Sequence, residues 1–146
     1  MGTDWILTPH PGEMARLTGQ SIGQIQGNRT ACATQFARRY PSVTLVLKGA
    51  GTLVAQGSRL AQNPTGNPGM SRGGSGDVLA GMIAALAAQG LSPWEAACAG
   101  VYLHGMAGDA AAAQFSEQAM LPRDLLACLP EVFLRLERFR DQHGTG

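Results

Sequence analysis

Charge is scarce in this chain. Asp, Glu, Lys and Arg together make up 14% of its 146 residues, against about 25% in an average soluble domain. The formal net charge is +1, so no basic surface is available to attract nucleic acid or an anionic membrane. Arginines gather toward the C-terminus (Arg123, Arg135, Arg138, Arg140), but acids are interspersed with them, which is the pattern of a solvated helix face. No apolar run approaches the ~20 residues that a spanning helix needs. The longest small-apolar stretch, residues 78–88, is Ala- and Gly-rich and too short. The opening residues lack the pattern of a secretory leader. Three cysteines, Cys32, Cys98 and Cys128, are far apart and odd in number, which reads as reduced core thiols in a cytoplasmic protein. No set of His, Cys, Asp or Glu recurs at metal-ligand spacing, so no protein-held metal is expected. Internal repeats and low-complexity linkers are absent too.

What remains is apolar and glycine-rich. Hydrophobic residues make up 45% of the sequence, and the length suits one domain with a substantial core, residues 1–146. Disorder is excluded on the same grounds. Residues 5–8 read as a short strand, broken by Pro9 and Pro11. A helix follows over 11–18, with Pro in its first turn and Glu13 placed to complement the dipole. Asn28 caps a second helix ending near Tyr40. Residues 43–47 are continuously apolar, as in a strand buried on both faces. Residues 48–51 turn, 52–55 return as a strand, and 56–58 turn again into a strand over 59–62. Helical stretches follow over 76–89, from 93 to about 104, onward to 114, and over 122–140. Ser92 with Glu95 makes a capping box, and the tail 143–146 is expected to fray. A single strand followed by a helix, a hairpin region and then helices to the end is the inventory of the second half of a larger α/β domain.

The most informative segment is Asn63-Pro-Thr-Gly-Asn-Pro-Gly-Met-Ser-Arg-Gly-Gly-Ser-Gly-Asp77-Val-Leu-Ala-Gly81. A phosphate needs several N–H donors converging with no side chain in the way. Gly73, Gly74 and Gly76 supply such positions directly before a helix, whose N-terminus favours an anion. Ser75 adds a hydroxyl. The loop has no Walker-type Gly-Lys-Ser/Thr ending; an acid, Asp77, stands where a phosphate-contacting lysine would be expected. As an ordinary N-terminal acid, Asp77 would contribute ~0.3–1 kcal/mol. As a general base it would be worth about 10²–10⁴-fold in rate. A carboxylate beside a phosphate cradle costs repulsion that a plain cap does not require, so the base is the sharper reading.

Lys48, Gly49, Ala50, Gly51 and Thr52 follow a buried strand, where open α/β sheets bind ligands. The two glycines permit close backbone approach, and Lys48 and Thr52 are suited to a phosphate or ribose; a simple hairpin with a solvated lysine is the alternative. In Thr8-Pro-His-Pro-Gly-Glu13, the prolines hold His10 in extended backbone, where its ring can meet a substrate or simply lie ordered on the surface. Glu13 suits a helix cap. His104, within Tyr102-Leu-His-Gly-Met106, reads as a packed helix histidine.

In this order, Thr8-Pro-His-Pro-Gly-Glu-Met-Ala-Arg-Leu17, Leu47-Lys-Gly-Ala-Gly-Thr52, the segment 63–81 and Tyr102-Leu-His-Gly-Met-Ala-Gly-Asp109 resemble the ADP-dependent NAD(P)H-hydrate dehydratases, a branch of the ribokinase-like superfamily. The resemblance runs from about residue 5 to about residue 130. It implies a ribokinase-like three-layer α/β/α fold, of which this chain is similar to the C-terminal half of the catalytic domain. It further implies a repair lyase that dehydrates hydrated NADH or NADPH while ADP is split to AMP and phosphate, with Mg²⁺ accompanying the nucleotide. By the same resemblance, Asp77 is the catalytic acid beside the damaged ring. Lys48–Thr52 and Gly73–Gly76 hold the nucleotide, and His10 and Asn63 contact the dinucleotide. Implied partners are small-molecule substrates, a homo-oligomeric copy, and an epimerase domain or missing N-terminal half. Two other readings stand beside this one. A kinase of the same superfamily, acting on a sugar or a hydroxymethylpyrimidine, shares the glycine loop and its acid, and an inert half-domain is the non-enzymatic reading.

Overall fold

The computed structural model describes residues 4–144. Its centre is a four-stranded mixed sheet in the order β1-β2-β3-β4. Strand β1 (Trp5–Leu7) lies parallel to β2 (Val43–Leu47), with Ile6 opposite Thr44. The next two strands, β3 (Leu53–Gln56) and β4 (Arg59–Gln62), form an antiparallel meander from β2. Between β1 and β2 run helices α1 (Pro11–Thr18), α2 (Ile22–Gly27) and α3 (Arg29–Arg39). After β4 come a 3-10 turn over Pro68–Met70, then α4 (Ser75–Ala88), α5 (Pro93–Phe115) and α6 (Pro122–His143).

The continuous apolar run of β2 is buried on both faces, and alternation assigns each residue a layer. Leu45 and Leu47, with Leu53 and Ala55 of β3, pack on Met14, Ile25, Ala33 and Ala37 of α1–α3. Val46 and Val54 point the opposite way, onto Leu79 and Ile83 of α4 and Ala96, Ala97 and Val101 of α5. The result is helix, sheet, helix: three layers. A further cluster joins α5 to α6 through Leu103, Ala107, Ala111, Leu125 and Val132. Thr44, fully buried on β2, is the one buried side-chain polar group without a hydrogen-bond partner among the described residues.

Most expected elements stand where sequence places them, with four differences. Residues 22–27, to which no element is assigned from sequence, form α2, because Ser21 and Gln24 make a reciprocal capping box over a short Gly- and Gln-rich segment. The separate helices expected over 93–104 and onward to 114 are a single helix, α5. Gly100, Gly105 and Gly108 do not break it, because each is the point at which another segment packs close. The first helical residue after the glycine loop is Ser75 rather than Gly76, with Gly74 as N-cap at φ 92°. Helix α6 extends through His143 instead of fraying there; residues 145 and 146 of the expected tail lie outside the described residues. Among the described residues no helix is long and apolar enough to cross a membrane.

Candidate functional site

Because β1 and β2 are parallel, their C-terminal ends open on the same side, and a cleft of about 810 Å³ lies beyond them. That is the crevice in which open α/β sheets receive ligands, and its volume is in the range of small-molecule sites. The turn after β2 forms one wall. Gly49 and Gly51 both take positive φ, 143° and 64°, which favours glycine. Thr52 Oγ1 closes the turn by donating to the Gly49 carbonyl at 3.1 Å. The Lys48 amide donates to the Pro9 carbonyl at 3.0 Å, tying this turn to the segment after β1.

The facing wall is the first turn of α4. Of the four amides that a helix N-terminus leaves without intrahelical partners, those of Gly76 and Asp77 donate to no acceptor among the described residues, and neither do those of Gly73 and Gly74 before them. The Lys48 ammonium reaches across to this turn, so that a methyl at Gly76 would lie 2.9 Å from Lys48 Nζ. A lysine and a helix N-terminus thus converge on one spot, with no side chain at Gly76 to separate them. Both carry positive potential, so the spot is built for an anion.

The structure gathers His10, Lys48 to Thr52, Asn63, Ser75 and Gly76 around the cleft. Gly73, Gly74 and Asp77 are outside its lining and exposed to solvent. Asp77 stands at the third position of α4, and its carboxylate forms no hydrogen bond or ion pair among the described residues. His10 is the N-cap of α1: its Nδ1 accepts from the Glu13 amide at 3.1 Å, and the Glu13 carboxylate accepts from the His10 amide at 2.8 Å. That reciprocal bond holds the Glu13 carboxyl below its ordinary range, with smaller help from His10, Lys48 and Arg16. Nδ1 is therefore occupied as an acceptor, and Nε2 lies 3.6 Å from the Glu13 carboxylate.

Asn63, which lines the cleft, also fastens the glycine loop. Its amide donates to the carbonyls of Val101 at 3.1 Å and Thr65 at 3.3 Å, while its oxygen accepts from the Thr65 amide at 3.5 Å. The amide end fastens the glycine loop to α5 through Val101, and the oxygen end ties the loop to itself at Thr65. The same loop is held by Thr65 Oγ1 on the Tyr102 carbonyl (2.9 Å), and by Asp109 accepting from the Gly66 amide (3.0 Å) and Asn67 Nδ2 (2.9 Å). Gly105 and Gly108 admit it: a methyl at Gly105 would lie 2.8 Å from the Thr65 carbonyl carbon, and one at Gly108 2.7 Å from Met70 Cε. Tyr102 to Asp109 is thus the docking strip for the loop. Its Gly-x-x-Gly-Asp spacing was the visible sign.

Arg29 was missed altogether. At the start of α3, its guanidinium donates to the carbonyls of Lys48 (3.1 Å) and Leu47 (3.2 Å), bracing the turn from behind. Nothing in the local sequence marks it. His104 is buried and packed, as expected, but its ring also reaches Ser75 at the start of α4. Among the described residues no three His, Cys, Asp or Glu side chains converge, and Asp109 is committed to the loop. The residues present do not fit a protein-held magnesium; an ion arriving with a nucleotide would be carried on phosphate oxygens.

A family profile described as NAD(P)H-hydrate dehydratase matches residues 2–131. The chain is 54% identical over 133 residues to a bifunctional NAD(P)H-hydrate repair enzyme of Moorella thermoacetica, covering 90% of this chain and 25% of that one. It is 46% identical over 123 residues to the ADP-dependent (S)-NAD(P)H-hydrate dehydratase of Neisseria meningitidis serogroup B, covering 84% and 40%. The crystal structure of the ADP/ATP-dependent NAD(P)H-hydrate dehydratase of Bacillus subtilis, co-crystallized with ATP/Mg²⁺, superposes with a TM-score of 0.85 at 37% identity, covering 89% of this chain and 47% of that one. The chain therefore spans less than half the length of each of these relatives.

Proposed function

This chain belongs to the NAD(P)H-hydrate dehydratase family, and from that premise we propose that it is the nucleotide-holding part of an enzyme that dehydrates hydrated NADH or NADPH at the expense of ADP. The observation that carries the proposal is the convergence of Lys48 Nζ with the free amides at the start of α4. A nucleotide's terminal phosphate suits that spot, with its remaining body along the Lys48–Thr52 turn. Magnesium on the phosphates spreads their charge; the chain's own residues bind and orient them.

The proposed chemistry follows from the neighbouring groups. Asp77, whose exposed carboxylate has no protein partner, takes the proton from the ring hydroxyl. The freed oxygen attacks the terminal phosphorus of ADP, and the bond to the bridging oxygen breaks to release AMP. Phosphate then leaves the ring carbon while a proton leaves its neighbour, which restores the dihydropyridine. The N–H groups of Gly73, Gly74 and Gly76 and the Lys48 charge stabilise the transferring phosphoryl group. His10 Nε2 contacts the dinucleotide. Asn63 and Asp109 keep the loop in place. We also propose a cytoplasmic location, self-association, and completion of the dinucleotide pocket by an N-terminal half, with an epimerase domain as a companion of the kind the bifunctional relatives suggest.

Hydrated NADPH, ADP and Mg²⁺ mixed with the protein should regain the absorbance of the reduced ring and release AMP and phosphate in equal amounts. Asp77→Asn should abolish turnover and leave nucleotide affinity unchanged. ATP-dependent phosphorylation of a free sugar or pyrimidine alcohol, with no action on hydrated NADPH, would replace this reading with that of a kinase.

A further inference from the structure

In one buried polar pair of the cleft, the link between the two side chains is unused by the chemistry above. Ser75 is 5% exposed and His104 8%, and both line the cavity. The His104 Nε2 lies 3.1 Å from the Ser75 carbonyl oxygen and 3.5 Å from Ser75 Oγ. A carbonyl oxygen can only accept, so Nε2 must carry the ring proton. A protonated ring nitrogen has no lone pair to offer, so the serine hydroxyl cannot donate to it. Ser75 Oγ has no other hydrogen-bond partner among the described residues. A buried O–H proton without an acceptor is costly, and the side left open to it is the cleft that Lys48 and Gly76 share.

We propose that His104 is a positioning residue: by locking Ser75 through Nε2–H, it leaves the Ser75 hydroxyl as a donor to a phosphate oxygen of the nucleotide. This rests on the functional reading above. The device requires a neutral imidazole, because a charged ring would add a cation beside Lys48 and the helix N-terminus. Burial, first of all, and then Lys48 hold His104 below its ordinary range, against a smaller opposing effect of the bond to Ser75. Gly105, next in α5, presses on Thr65, so the ring cannot shift without moving the loop.

The test is ADP affinity by calorimetry for the unaltered protein, Ser75→Ala, His104→Leu, the double variant and His104→Gln. Loss of one hydrogen bond to a charged group should weaken ADP about tenfold or more in each single variant. The double variant should be no weaker than either single one, and His104→Gln, whose amide can donate from nearly the same place, should recover most of the affinity. Additive losses, or ADP binding by His104→Leu at the unaltered strength, would overturn the positioning role and leave the functional reading intact. Failure of the unaltered protein to bind ADP would overturn both. Since His104→Leu can disturb folding, nitrogen NMR of the unaltered protein supplies a second readout: a proton on Nε2 is expected, and a proton on Nδ1 contradicts the proposal.

Discussion

At the residue scale, the site depends on where charge is allowed to sit. Lys48 meets Gly76 with nothing between them, so Gly76→Ala should push the ammonium aside and weaken ADP binding while leaving the fold intact, as calorimetry and circular dichroism together would show. His104 gives a pH prediction whose sign is fixed. Its pKa in the fold lies below the ordinary value of about 6.5. As pH falls past 6.5, the unfolded chain therefore takes up a proton before the folded one does, and stability drops. This contribution is complete above pH 6.5, declines below it, and is lost once pH has fallen through the folded-state value. Melting temperatures from pH 7.5 to pH 5 should fall, and His104→Gln should flatten that part of the slope. An equal slope in the variant would assign the acid sensitivity to another group; Glu13, whose pKa is also lowered, loses its contribution only in a more acid window, below the ordinary carboxylate value.

At the scale of elements, the glycine loop is held in shape by α5. Gly105→Ala would drive a methyl into Thr65 and Gly108→Ala one into Met70. Each should cost about 1–3 kcal/mol, as overpacking does, read as a lower denaturant midpoint. Asp109→Ala frees the Gly66 amide and Asn67 together, so it should weaken ADP binding although Asp109 is not proposed to touch the nucleotide. The same strip shows what was legible beforehand. Val43–Leu47 announced a two-sided buried strand, Pro11 with Glu13 a helix start, and the run to Gly76 the start of α4, since period, caps and glycines are local signals. The bracing of Leu47 and Lys48 by Arg29 spans 18 and 19 residues, and no local pattern encodes it. The part Asn63 plays in fastening the loop is equally hidden, because Val101, which its amide bonds, is 38 residues away. The close approach at Gly105 and Gly108 is hidden for the same reason: what presses on them comes from elsewhere in the chain.

At the scale of the whole molecule, β1 is an edge of the sheet, and its Trp5 is 59% exposed. Leu126, Phe133 and Phe139 on α6 are 51%, 47% and 62% exposed. Free strand edges and apolar patches invite pairing, so sedimentation should show concentration-dependent association, reduced by Phe133→Glu; a monomer at all concentrations would refute it. Nucleotide binding should act on the entire fold as well: ADP at 100 times its Kd raises stability by about 2.7 kcal/mol through mass action, seen as an upward shift in melting. The most direct measurement is a crystal structure of the protein with ADP and Mg²⁺. The terminal phosphate should lie between Lys48 Nζ and the amides of Gly73, Gly74 and Gly76, with the nucleotide's body along Lys48–Thr52 and Asp77 facing the position of the transferring group. A terminal phosphate bound away from Lys48 and the start of α4 would contradict the account.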